Sequence, residues 1–83
     1  MIKYEVEKGF VMDLKAREGH IAEVTESFDT KEEAEERFIR VQGRLTLENE
    51  YVSLSEVEFD DDGDWTYGHV YTAYNQDLGN KNE

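Results

Sequence analysis

Apolar and polar residues alternate from the start of the chain. Ile2, Tyr4 and Val6 are separated by Lys3, Glu5 and Glu7, and the same parity runs on through Phe10, Met12 and Leu14. A two-residue period is that of a strand with one buried face. Gly9 marks either a bulge in one long strand or the tip of a hairpin at Lys8-Gly9, and the unbroken parity favours the long strand. Arg17-Glu18-Gly19 reads as a turn. Ile21 to Phe28 reads as a second strand, with Ala22, Val24 and Phe28 on one face.

The period changes after Asp29. Thr30-Lys31-Glu32-Glu33 fits a capping box, in which Thr30 caps the helix and Glu33 reaches back. Ala34, Phe38, Val41 and Leu45 fall at i, i+4, i+7 and i+11, one apolar stripe of a helix. Acids in the first turn and Arg40 and Arg44 near the end both suit the helix dipole. Gly43 is a stop signal, and Asp29 is the alternative cap. Glu33 to Arg37 and Glu36 to Arg40 are i, i+4 pairs of the favourable orientation, which makes the outer helix face a solvated, self-paired one.

Two or three strand-like runs come next. Leu45-Thr46-Leu47 is short. Tyr51 to Phe59 changes parity, with Val52 and Leu54 on one side and Val57 and Phe59 on the other, which a bulge near Ser55-Glu56 would explain. Asp60 to Asp64 is a hairpin turn built on Asp62-Gly63. Trp65 to Tyr74 returns as a strand rich in aromatic and β-branched residues. If regular, it places Trp65, Tyr67, His69 and Tyr71 on one face and Val70 and Tyr74 on the other. The pattern is β-β-α-β-β, an α+β domain with an antiparallel sheet of about four strands and one helix against one face. Residues 1–75 form that domain and 76–83 a polar tail that frays. The strand order stays open.

Composition narrows the function. The chain has 83 residues, room for one domain. Apolar residues make up only 37 %, but ten aromatics argue against a disordered chain. The absence of Cys removes disulfides and thiolate metal sites. No apolar run approaches the roughly 18–20 residues of a membrane helix. The first residues enter a strand pattern with no basic and apolar leader, so the expected compartment is the cytoplasm.

Charge is the strongest signal. The formal net charge is −12, with 21 acids against 9 Lys and Arg. Residues 1–30 hold 7 acids and 4 bases, residues 31–44 hold 4 of each, and residues 45–83 hold 10 acids and 1 base, with no Lys or Arg between Leu45 and Asn80. A protein charged this way is repelled by nucleic acid. The acidic stretch is either a solubility device or an electronegative surface offered to a basic partner. The aromatics interleaved with it, Trp65 and Tyr67 above all, are residue types enriched at binding hot spots.

Chemistry beyond binding finds little support. Glu58, Asp60, Asp62 and Gly63 fall at positions 1, 3, 5 and 6 of a calcium loop, but position 12 is His69 and the flanks are strands. An acidic hairpin tip is the better reading, with no metal or other cofactor expected. His20 and His69 lack neighbouring nucleophile or acid motifs, and the glycines are scattered singly, so no phosphate cradle is present. No catalytic residues are expected, and the chain is read as a non-enzyme.

The size, the β-β-α-β-β pattern, the acids from Glu48 to Asp64 and the interleaved Tyr and Trp resemble small phage-encoded anti-defence proteins of the anti-CRISPR type. Toxin-immunity proteins are similar on the same physical grounds. The resemblance implies a single-domain inhibitor of a basic, nucleic-acid-handling protein, acting in a bacterial host by steric block or charge mimicry. It carries no site residue over. The residues expected to meet the partner are Glu56, Glu58, Asp60, Asp61, Asp62, Asp64, Trp65 and Tyr67. The alternative is an assembly module that forms a homo-oligomer, with the charge serving solubility.

Overall fold

The structure, a computed structural model, describes residues 1–78. The elements are β1 (Ile2–Asp13), β2 (Glu18–Phe28), α1 (Lys31–Gln42), β3 (Glu50–Phe59), β4 (Trp65–Tyr74) and α2 (Asn75–Leu78). The four strands form one sheet in the order β2-β1-β3-β4, every neighbouring pair antiparallel. The fold is α+β. α1 carries the chain from edge strand β2 across β1 to β3, so β1 lies between the two strands that the helix connects.

Val6 pairs with Leu54 and Lys8 with Val52, so these residues share the face under α1. Val6, Val52 and Leu54 form the core with Ala34 and Phe38. Tyr4, Phe28, Val41, Leu45, Val70 and Ala73 pack around them. The helix stripe therefore holds for Ala34, Phe38 and Val41, whereas Leu45 packs against the core from beyond the helix, which ends at Gln42. A 12-residue helix spans about 18 Å, whereas strands of 10–12 residues run about 33–40 Å. The sheet outruns its cover, which limits the strand pattern. Met12 shares the parity of Val6 but is 74 % exposed, while Val11, of the other parity, is buried on the opposite face.

Two bulges decide which side chains share a face. Opposite Lys8 and Gly9, β2 carries one extra residue, Glu23, so Ala22 turns away from the Val24 and Phe28 side. Opposite Leu54 and Ser55, β4 carries one extra residue, Val70. β3 itself pairs regularly with β1, so the expected bulge near Ser55-Glu56 is absent and Val57 and Phe59 simply face the other way. The expected Tyr71 face is corrected as well. Val70 rotates Tyr71 to the helix side, where its ring meets Phe38 edge-on at 4.6 Å. Trp65, Tyr67 and His69 stay on the opposite face. Both bulges lie on edge strands, where they discourage further pairing.

Gly9 is the long-strand glycine, not a hairpin tip. A Cβ there would run into the Ile21 carbonyl at the β1–β2 bulge. Backbone cannot swing aside as a side chain can. Gly9→Ala is expected to cost about 3 kcal/mol and to lower the melting temperature by roughly 10 °C or more, measured by thermal unfolding.

Thr30, not Asp29, caps α1. Its Oγ accepts from the Glu33 amide at 3.2 Å and donates to the Glu33 carboxylate at 2.9 Å. Glu33 thus reaches the cap's side chain, and Asp29 pairs with Lys3. Arg40 meets Glu36 as expected, but Arg37 turns to Glu26 of β2 at 3.6 Å. Leu45 to Leu47 form no strand. The loop is organised by Glu50, whose Oε1 accepts from the amides of Thr46 and Leu47 at 2.9 and 2.6 Å. The tail expected to fray from residue 76 is held at its start. Asp77 accepts two hydrogen bonds from the Arg17 guanidinium at 2.6 and 2.7 Å, and Gln76 donates to the Leu14 carbonyl at 3.0 Å. The rest of that tail, 79–83, lies outside the described residues.

Candidate interaction surface

The eight residues expected to meet a partner all lie on the half of the sheet that carries the β3–β4 hairpin, but they do not form one patch. Glu56 and Glu58 pair across from Gly68 and Thr66. By register they share the helix-side face, beyond the end of the helix, and help line a shallow hollow of about 220 Å³. Trp65 and Tyr67 are cross-strand from Phe59 and Val57, on the opposite face. The hairpin tip lies between the two sets.

Asp60 belongs to the turn itself. Its carboxylate accepts from the amides of Asp62 and Asp64 at 3.0 and 2.9 Å. Its amide donates to the Asp64 carbonyl, and Gly63 takes the left-handed φ of +85° that lets the turn close. Asp60 thus holds the turn, and it remains exposed. Among the described residues, the side chains of Glu56, Glu58, Asp61, Asp62 and Asp64 make no hydrogen bond or ion pair. The cations that are paired, Lys3, Lys8, Arg17, Arg37 and Arg40, find their acids on β2, the β2–α1 connection, α1, β3 and α2, away from the hairpin tip. The charge of the hairpin half is therefore not neutralised from within.

The face opposite α1 is closed at one end and bare at the other. At the closed end Tyr51 is 1 % exposed. His20 stacks edge-on against it at 4.8 Å and meets the Tyr74 hydroxyl at 3.0 Å, with the Arg17 guanidinium over the Tyr74 ring. At the bare end Trp65 is 58 % and Tyr67 54 % exposed, their rings edge-to-face at 4.8 Å. Val57, on β3, is nonetheless buried, so the floor there is packed.

Two carboxylates on this face escaped the sequence reading. Glu5 and Glu7 sit on β1, next to β3. The Tyr67 hydroxyl donates to Glu5 at 2.9 Å, and the Tyr51 hydroxyl donates to Glu7 at 2.5 Å. The bond to Glu5, then burial, pushes the Tyr67 hydroxyl's pKa up. Burial first, then Glu7, raises that of Tyr51. Both tyrosines thus stay protonated donors. The alternation had put Glu5 and Glu7 on the polar side of β1, but carboxylate pairs are common in this chain. Only the strand order brings tyrosines beside this pair.

Among the described residues no three His, Asp or Glu side chains gather closely enough to hold a metal ion. Among them too, no helix is long and apolar enough to cross a membrane. No protein-family model matches the chain, and no curated protein and no solved structure is similar to it.

Proposed function

We propose that the chain is a non-enzymatic inhibitor that binds a basic protein surface, one that normally holds nucleic acid, in the cytoplasm of a bacterial host. The observation that carries this reading is the unneutralised acidic hairpin half bordering the bare Trp65 and Tyr67. A one-signed field of this kind steers a basic partner in and rejects acidic ones. The exposed aromatics add contact area that charge alone does not supply. Occupying a surface that must also bind phosphates blocks it, in the manner of anti-CRISPR or toxin-immunity proteins.

Capture from a bacterial lysate tests this. The tagged chain is expected to retain a basic nucleic-acid-handling protein at about 100 mM salt and to lose most of it at about 500 mM, because screening shortens the reach of the field. Recovery of nothing, or of the chain alone, contradicts it.

A second reading, a homo-oligomer, is favoured by one feature, the sheet face that no second layer covers among the described residues. Sedimentation separates the two. A tight dimer that salt does not weaken supports assembly, and a monomer supports the inhibitor.

A further inference from the structure

We propose that the interface is anchored along Glu5 and Glu7 on the open sheet face, where Tyr67 of the bare end reaches Glu5 and Tyr51 of the closed end reaches Glu7, and that its occupant is an arginine-bearing extended segment of a basic protein that runs on towards Trp65. This rests on the inhibitor reading and deepens it. The anchor moves from the hairpin tip to the sheet face, and the partner's side chain is named.

Among the described residues nothing covers the face at this end, and its floor is already packed around Val57. It is edged by the half-exposed Trp65 and Tyr67. Glu5 and Glu7 are half-buried and, among the described residues, in no ion pair. Each uses one oxygen, Oε1 of Glu5 and Oε2 of Glu7, to accept a tyrosine hydroxyl. Those bonds orient the carboxylates. The second oxygen of each remains to accept from a partner. Docking a partner would take both carboxylates further out of water, which is costly unless a cation comes with it.

The cation that fits is arginine. Its planar guanidinium stacks on aromatic faces and donates to carboxylates in a fixed fork, whereas lysine is a hydrated point charge. Glu5 and Glu7 are two residues apart on one strand, a spacing of about 7 Å. That is also the repeat of alternate side chains in an extended segment, so arginines at alternate positions come into register with the two carboxylates. Nucleic acid is a poorer occupant, because its phosphates would meet both carboxylates. A second copy is poorer too, because self-pairing of the face sets like charges against each other.

The test is an amide NMR titration of the full chain with acetyl-Arg-Ser-Arg-amide and with its lysine counterpart. The arginine peptide is expected to shift the amides of Glu5, Glu7 and Tyr67 and the Trp65 indole, and to bind at least about fivefold tighter than the lysine peptide. Glu5→Gln/Glu7→Gln keeps an acceptor for each tyrosine and should fold as the parent does. It is expected to weaken binding about tenfold, and Trp65→Ala, at an exposed position, should do likewise. Shifts confined to residues 60–64 or to α1, or equal binding of the two peptides, overturn the proposal. The same variants in lysate capture separate the two readings. If they retain the captured protein undiminished while reversal of the hairpin charges releases it, the anchor is wrong and the inhibitor reading survives. If the peptide binds the face as expected but no nucleic-acid-handling protein is captured, the anchor stands and the inhibitor reading fails.

Discussion

Replacing Glu50 by glutamine is expected to destabilise the domain by about 3 kcal/mol at neutral pH, a large share of the roughly 5–15 kcal/mol a domain usually has. Glu50 is 5 % exposed. Burial alone would push its carboxyl up, but Lys8 at 2.7 Å and the amides of Leu47 and Thr46 outweigh it and bring it down to about 2. Glutamine keeps an oxygen for the amides and loses the charge that faces Lys8. Because the folded pKa lies below the ordinary value of 4.5, the stabilisation is complete above about pH 4.5 and disappears as pH falls towards 2. Urea unfolding of both proteins at pH 7 and pH 3 checks this. The gap is expected to shrink markedly at the lower pH. A gap of equal size at both would show that Glu50 acts through packing and not through its charge.

The second large effect concerns binding. Asp61→Lys/Asp62→Lys/Asp64→Lys is expected to weaken the partner complex about 10- to 100-fold, mostly through a slower on-rate. Asp60 is left alone because it holds the turn. The control is Glu18→Lys/Glu32→Lys/Glu48→Lys, which changes the net charge equally at exposed positions away from the hairpin. It should cost only a few-fold, since exposed charges beyond about 8–10 Å are screened. The signature is in the rates. Hairpin reversal should lower the on-rate and flatten the salt dependence, whereas loss of Trp65 or Tyr67 should raise the off-rate. Equal losses from the two triple variants would mean that net charge alone drives association.

The elements that local pattern dictates were legible in the sequence. The Thr30 cap, the stripe of Ala34, Phe38 and Val41, and the Asp62-Gly63 hairpin obey rules that operate within one or two turns of chain. The features that could not be read depend on pairing between distant segments. The extra residues Glu23 and Val70 are visible only against their partner strands, and each flips the facing of the residues beyond it in its strand. That is why alternation alone groups Tyr71 with Trp65 and Tyr67 although it packs against the core. Glu50 is one acid among many until the fold sets it between Lys8 and a loop that needs acceptors. The candidate surface was legible in part. Composition alone points to the hairpin acids and Trp65, but their division between two faces and the presence of Glu5 and Glu7 required the strand order β2-β1-β3-β4.

The most direct measurement is a competition. The captured protein is loaded with labelled nucleic acid and titrated with this chain. The expected result is release of the nucleic acid at about one equivalent, with Trp65→Ala needing roughly tenfold more protein for the same release. A stable ternary complex, with the nucleic acid still bound when the chain is in excess, would contradict the proposal that the two compete for one basic surface.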